Sequence, residues 1–200
     1  MIAELCRSLR LPTVARDAER LAEEAERQGV RHVDYLRSLL ERELDERAER
    51  RAKRRMKEAG FPVVKTFEGF DFQRNPSLSE PSLRRLAGGD WIDAAESVIF
   101  MGEPGTGKTH LATALGVAAA HQGRRVKFLT MGRLVNELVE AKSQTQLSRV
   151  IAKYARIDLL IIDELGYIPL AKGDAELAFH VLSERQERRA LLSGPTHLAC

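Results

Sequence analysis

Cysteine is nearly absent from this 200-residue chain: Cys6 and Cys200, at opposite ends, are the only two. That argues against a disulfide framework, and a reducing cytoplasm fits. No group of Cys and His has zinc-ligand spacing. No apolar run approaches the ~20 residues that a membrane-spanning helix needs, so no membrane role is expected. Glu4 and Arg7 place charge too early for a signal-peptide core. No internal repeat is evident. A hydrophobic content of 44% beside 30% charged residues is that of a globular protein. The length suits one α/β domain with a small accessory region.

The most informative residues that are present are Gly102-Glu103-Pro104-Gly105-Thr106-Gly107-Lys108-Thr109. They fit G-x-x-x-x-G-K-[ST], the phosphate-binding loop of nucleoside triphosphatases. The glycines let the backbone turn its N–H groups around phosphate oxygens. Lys108 supplies a point charge for the β- and γ-phosphates, and the Thr109 hydroxyl is a Mg²⁺ ligand. The apolar run Ser97–Met101 reads as a buried strand before the loop. Leu111, Ala112, Leu115, Ala118 and Ala119 mark a helix over 109–121, ending near Gly123. Strand, glycine loop and helix together aim a helix N-terminus at a phosphate, and His110 joins the loop residues as a nucleotide contact.

A nucleotide site on a parallel sheet also needs an acid at the end of a neighbouring strand. Residues 157–164, read as IDLLIIDE, supply one. Four consecutive aliphatics predict a strand buried on both faces. Asp163 at its end is the metal-side acid, acting directly or through water, and Glu164 is the base that polarises the attacking water. Further alternation follows the same rule: strand 126–129, helices 132–141 and 145–155, strand 157–163 and helix 174–188. It implies a parallel sheet with helices on both faces, an α/β P-loop core over 97–200. Its nucleotide belongs at the carboxyl edge of that sheet.

The N-terminal 60 residues read differently. Val14, Ala18, Leu21, Ala22 and Ala25 define one helix closed by Gly29. Val33, Leu36, Leu39, Leu40 and Leu44 define a second that runs into a basic block. Residues 1–46 carry 8 Lys/Arg and 11 Asp/Glu, whereas 47–57 carry seven bases and one acid. Arg47, Arg50, Arg51, Lys53, Arg54, Arg55 and Lys57 fit a contact with double-stranded DNA that is not sequence-specific. The other reading is a solvated helix laced by Glu/Arg pairs, against which the excess of base argues. Residues 61–96 form a linker with a short helix over 82–94 that includes Trp91. Its Phe67, Phe70 and Phe72 either flank an adenine base or staple the segment under the sheet.

GEPGTGKTHL (102–111), DLLIIDELGYIPL (158–170), TFEGFDF (66–72) and the 126–141 region resemble the IstB-like ATPases. These are helpers of bacterial insertion-sequence transposition. They are related to the helicase loader DnaC and the initiator DnaA within the AAA+ superfamily. The resemblance runs over nearly all of 1–189. It implies ATP and Mg²⁺ as cofactors, an oligomer assembled on duplex DNA, and a transposase as partner. The Gly102–Thr109 loop, Asp163 and Glu164 take the corresponding roles. A helicase loader is the alternative within the superfamily, and a remnant that only binds nucleotide or DNA is the alternative outside it.

The C-terminus departs from that pattern. Family members continue past the position of Arg189 with a core strand, a further strand, a helical lid and an arginine that reaches a neighbouring ATP. Here Ala190–Ser193 start such a strand, and Gly194-Pro195 argue against its continuing centrally. The expectation is a core without its C-terminal strand and lid, one that binds nucleotide weakly and turns it over slowly or not at all.

Overall fold

The computed structural model describes residues 2–75, 78–103, 105–164, 172–186 and 190–196. It divides into two compact units, residues 1–53 and 54–200.

The first unit is helical: α1 (Ile2–Ser8), α2 (Pro12–Gln28) and the first part of α3 (His32–Ala59). Pro12 opens α2, where its missing N–H costs nothing. Gly29 closes it in the left-handed conformation, φ 64°, as a C-cap glycine does. The free N–H groups at the start of α2 are taken by α3. Glu43 Oε2 accepts from the amides of Thr13 (2.8 Å) and Val14 (3.1 Å). A buried carboxylate on one helix thus caps another and opposes its dipole. Cys6, Val14, Ala18 and Leu39 form the small core, with Leu11, Leu21 and Tyr35 packed around it.

The second unit contains α4 (Glu80–Gly88), α5 (Asp90–Asp93), β1 (Ser97–Met101), α6 (Lys108–His121), β2 (Val126–Thr130) and α7 (Met131–Ser143). They are followed by α8 (Leu147–Ala155), β3 (Leu159–Asp163), α9 (Lys172–Gln186) and β4 (Ala190–Thr196). The single helix expected over 82–94 is two, because Gly89 at φ 90° breaks it. The strands pair in parallel in the order β1-β4-β3-β2. One face of the sheet packs on α6, Trp91, Phe67 and Leu83. The other packs on α7, α8 and α9 through Leu134, Leu138, Tyr154, Ala178 and Val181. Leu159, Leu160, Ile161 and Ile162 of β3 are fully buried, as a strand covered on both faces requires.

The expectation of a missing C-terminal strand needs correcting, while the reading that Gly194-Pro195 do not continue it centrally holds, since the pairing with β3 ends at Ser193. β4 does form, and it is central. Residues 190–193 pair with β3, and the chain runs on beside β1 to Thr196. The register between β1 and β4 slips between Ile99 and Met101. Pro195 falls in that slip, beyond the last pairing with β3, where a missing ladder donor costs least.

Candidate functional site

The phosphate loop leaves β1 and enters α6. Gly102, Gly105 and Gly107 have φ of 144°, 78° and 87°, values that side chains beyond glycine rarely adopt. Pro104 lies outside the described residues, as do Leu165, Gly166 and Tyr167 of the ELGY stretch. At Gly107 a second constraint acts: an added Cβ would lie 2.5 Å from the ring of Phe70. Phe70 stacks edge-on with Phe72 (4.8 Å) and with His110 (5.2 Å). His110 Nε2 lies 2.8 Å from the Thr66 carbonyl, so that nitrogen carries the proton and donates. The aromatic segment is therefore strapped to the first turn of α6. Phe67, within it, is buried in the core, which is the staple role.

Lys108 is 7% exposed. Its ammonium donates to the carbonyls of Gly102 (2.7 Å) and Glu103, and to Thr106 Oγ1 (3.2 Å). The cation thus sits inside its own loop, held by neutral oxygens. A phosphate placed there would offer it charged acceptors, which make stronger bonds.

The acidic partner stands where the loop needs it. Thr109 Oγ1 donates to Asp163 Oδ2 at 3.0 Å, joining residues 54 positions apart. Asp163 Oδ1 accepts the Glu164 amide at 3.1 Å. Asp163 is buried, and among the described residues it has no ion-pair partner. A buried carboxylate with only neutral donors carries uncompensated charge. Together with the Thr109 hydroxyl it makes an oxygen set suited to Mg²⁺. No ready-made cluster of three or more His, Cys, Asp or Glu is found among the described residues. Glu164 is exposed and adopts φ 60°, one of four non-glycine residues with positive φ among the described residues. The chain turns sharply there, just past the strand end.

The basic residues of α3 are more committed than their sequence window suggested. Arg47 pairs with Glu43 and also donates to the Arg10 carbonyl. Arg50 pairs with Glu46 and reaches Thr13, while Lys53 pairs with Glu49. Arg54 and Arg55 share Glu58. Of these four acids only Glu49 is inside the 47–57 window; Glu46 and Glu58 border it and Glu43 lies one turn before it. Arg51 and Lys57 have no ion pair among the described residues. Apart from Arg47 on the buried Glu43, these are surface pairs that contribute about 0–1 kcal/mol each, so they do not withdraw the cations from a polyanion.

Sequence reasoning missed two structural supports. Arg185 is 3% exposed and donates to the carbonyls of Tyr154, Ile157 (3.1 Å) and Ala190 (3.1 Å). It ties the ends of α8 and α9 to the starts of β3 and β4. Gly116 lets α6 lie against the sheet, since a Cβ there would meet Ile161 at 2.5 Å and Phe61 at 2.8 Å. A glycine in the middle of a helical pattern was the available signal.

Comparison with known proteins places this geometry. The model of the IstB-like ATP-binding protein family matches residues 4–196. An insertion sequence IS21 ATP-binding protein of Pseudomonas aeruginosa is 36% identical over 92% of this chain and 69% of its own length. An insertion sequence ATP-binding protein of Sinorhizobium fredii is 38% identical over 92% of this chain, which spans 62% of it. The insertion sequence IS5376 ATP-binding protein of Geobacillus stearothermophilus is 35% identical over 96% of this chain and 76% of its own length. Among solved structures, AMPPCP-bound DnaA from Aquifex aeolicus superposes with a TM-score of 0.59 at 21% identity, over 69% of this chain and 44% of DnaA. The DnaC helicase loader gives 0.54 at 21% identity, over 74% of this chain and 81% of DnaC. These two show the fold: a parallel sheet with helices on both faces and a phosphate loop between β1 and α6. No helix among the described residues is long and apolar enough to cross a membrane.

Proposed function

The chain belongs to the IstB-like ATP-binding protein family, and from that premise we propose that it binds ATP with Mg²⁺ at Gly102–Thr109 and acts on double-stranded DNA as a helper of insertion-sequence transposition in the bacterial cytoplasm. The single observation that carries the nucleotide part is the 3.0 Å bond between Thr109 and Asp163. Two motifs far apart in sequence meet at the carboxyl edge of one sheet, each with the chemistry the other lacks.

On this reading Lys108 exchanges the Gly102 and Glu103 carbonyls for β- and γ-phosphate oxygens. The amides of the loop and of the first turn of α6 surround the phosphates, where the helix dipole favours negative charge. The Thr109 hydroxyl and Asp163 would hold Mg²⁺, directly or through water, and the ion would supply positive charge beside the phosphates. Glu164 orients and deprotonates the attacking water. The exposed face of α3, with Arg51 and Lys57 and the paired arginines beside them, contacts DNA phosphates. ATP-dependent assembly on DNA would then present the complex to a transposase. The relatives' own description as insertion-sequence ATP-binding proteins favours this over helicase loading.

A fluorescent ATP analogue titrated into the full chain tests the site. Binding should need Mg²⁺, weaken by at least ~100-fold in Lys108→Ala, and weaken in Asp163→Asn, with the fold intact by circular dichroism. Equal affinity in the parent and in Lys108→Ala refutes the site. DNA affinity should fall steeply with salt, with a slope reporting the number of phosphates engaged.

A further inference from the structure

β2 lies at one edge of the sheet, and position 127 breaks its apolar pattern. Alternate residues of a strand share a face. Leu129 is buried on the face covered by α7 and α8. Lys127, two residues before it, puts an ammonium on that same face. The charge lies in a cavity of about 340 Å³ lined by β2, α7 and α8. Small-molecule sites span ~300–1,000 Å³, so this one is at the small end of the range. Arg133 and Asn136 of α7, with Lys153 and Tyr154 of α8, line it beside Lys127.

The charges in the cavity do not cancel. Glu137 also lines it, and its two oxygens are taken, one by the Lys153 ammonium and the other by the Tyr154 hydroxyl at 2.6 Å. Glu140 is exposed and accepts from the Gln144 amide at 3.1 Å. Lys127 and Arg133 have no ion-pair partner among the described residues. Lys127 Nζ lies 3.4 Å from the Glu58 carbonyl, a long contact with a neutral acceptor. Burial, and then the charges of Lys153 and Arg133, hold the Lys127 ammonium below its usual pKa against the opposite pull of Glu137.

We propose that this cavity binds a small phosphate-bearing molecule, at a site separate from the nucleotide loop, with Lys127 and Arg133 as its anchors. Once Glu137 has answered Lys153, two cations remain. They match the charge of about −1.5 to −2 that a phosphate monoester carries at neutral pH. The guanidinium fork of Arg133 suits two phosphate oxygens, and Lys127 serves a third as a point charge. A carboxylate brings one charge and two oxygens, and leaves one cation unanswered. The exposed Asn136 and Glu140 offer acceptors to the hydroxyl groups of the rest of the ligand. The same carboxylates limit its size: an extended polyanion would lay further phosphates against Glu137 and Glu140, whereas a single phosphate meets the cations alone.

The test uses the full chain carrying Lys108→Ala, which removes the competing phosphate site of the loop and leaves this cavity untouched. Lysines are acetylated with an N-hydroxysuccinimide ester in the presence of inorganic phosphate up to ~50 mM, a range suited to a ligand of so few atoms. The rate at each lysine is read by mass spectrometry. The rate at Lys127 should fall as one plus the ratio of phosphate to its Kd, by about tenfold at the top of the range. The exposed Lys142 should react as before. Sodium chloride at matched ionic strength and acetate at matched concentration should leave Lys127 unprotected. Ribose 5-phosphate should protect at lower concentration than inorganic phosphate, and ribose should not protect. Arg133→Met, a change at an exposed position, should raise the half-protecting concentration about tenfold, and Arg133→Lys should recover part of it. Lys127 that reacts equally with and without phosphate, protection that survives Arg133→Met, acetate as effective as phosphate, or protection by short duplex DNA alone would overturn the proposal.

Discussion

Glu164 combines two properties that a substitution series can separate. Its backbone sits at φ 60°, and the proposed function gives its carboxylate the task of activating water. A non-glycine, non-asparagine residue in the left-handed region carries a cost of about 1–2 kcal/mol. Glycine removes that cost but adds about 0.5–1 kcal/mol of backbone entropy to the unfolded chain. Glu164→Gly should therefore stabilise the nucleotide-binding unit by a net ~0.5–1 kcal/mol, or about 1–4 °C in Tm. Glu164→Gln keeps the strained backbone and should melt with the parent. Both variants lose the carboxylate, so both should lower any ATP turnover by about 10²–10⁴-fold while still binding the nucleotide. Thermal unfolding followed by Trp91 fluorescence gives the first quantity, and phosphate release gives the second. If Glu164→Gly melts at or below Glu164→Gln, the backbone argument fails. If Glu164→Gln hydrolyses ATP as the parent does, the role of the carboxylate fails.

Two further outcomes follow from buried charge. Arg185→Met keeps the aliphatic length but removes the donor shared by the Tyr154, Ile157 and Ala190 carbonyls; at about 1 kcal/mol each the unit should lose ~3 kcal/mol, and a loss under ~1 kcal/mol would refute the tie between α8, α9 and the strands. The helical unit should be acid-sensitive. The Arg16 guanidinium, then Arg42, holds Asp17 down to about 2, and Arg16, then Arg50, holds Glu46 down to about 2. Burial would raise Glu43, but the Val14 amide, Arg47 and the Thr13 amide outweigh it and lower its value. Folded values below the unfolded ~3.9–4.3 mean that this stabilisation is fully present above about pH 5 and is lost as pH falls toward 2. Far-ultraviolet circular dichroism from pH 6 to 2 should show the loss, and Asp17→Asn with Glu46→Gln should flatten it; overlaid acid profiles would refute the assignment.

Much of the nucleotide unit was legible in the chain, for identifiable reasons. The run Leu159–Ile162 reads as a doubly covered strand because no other environment suits four consecutive large aliphatics. The loop reads as a loop because three of its glycines have backbone angles that other residues avoid. The aromatic segment was ambiguous, because composition does not say which ring points inward; packing sends Phe67 to the core and sets Phe70 on Gly107. The basic block misled in one respect. Counting within 47–57 left out Glu43, Glu46 and Glu58, which lie at most one helical turn beyond the window and pair with its arginines.

By itself, then, the sequence determined the alternation of strands and helices, the phosphate loop and the acid that answers it. These depend on local pattern: hydrophobic period, glycine freedom and the charge of single residues. Tertiary structure decided what depends on distance through space. It set β4 between β1 and β3 despite Pro195, brought Thr109 to Asp163, buried Arg185 against three carbonyls and gathered Lys127, Arg133 and Lys153 around one cavity. A hydrogen bond across 54 residues or a cavity lined from a strand and two helices has no local signature. The folded chain selects it by which surfaces meet and which do not.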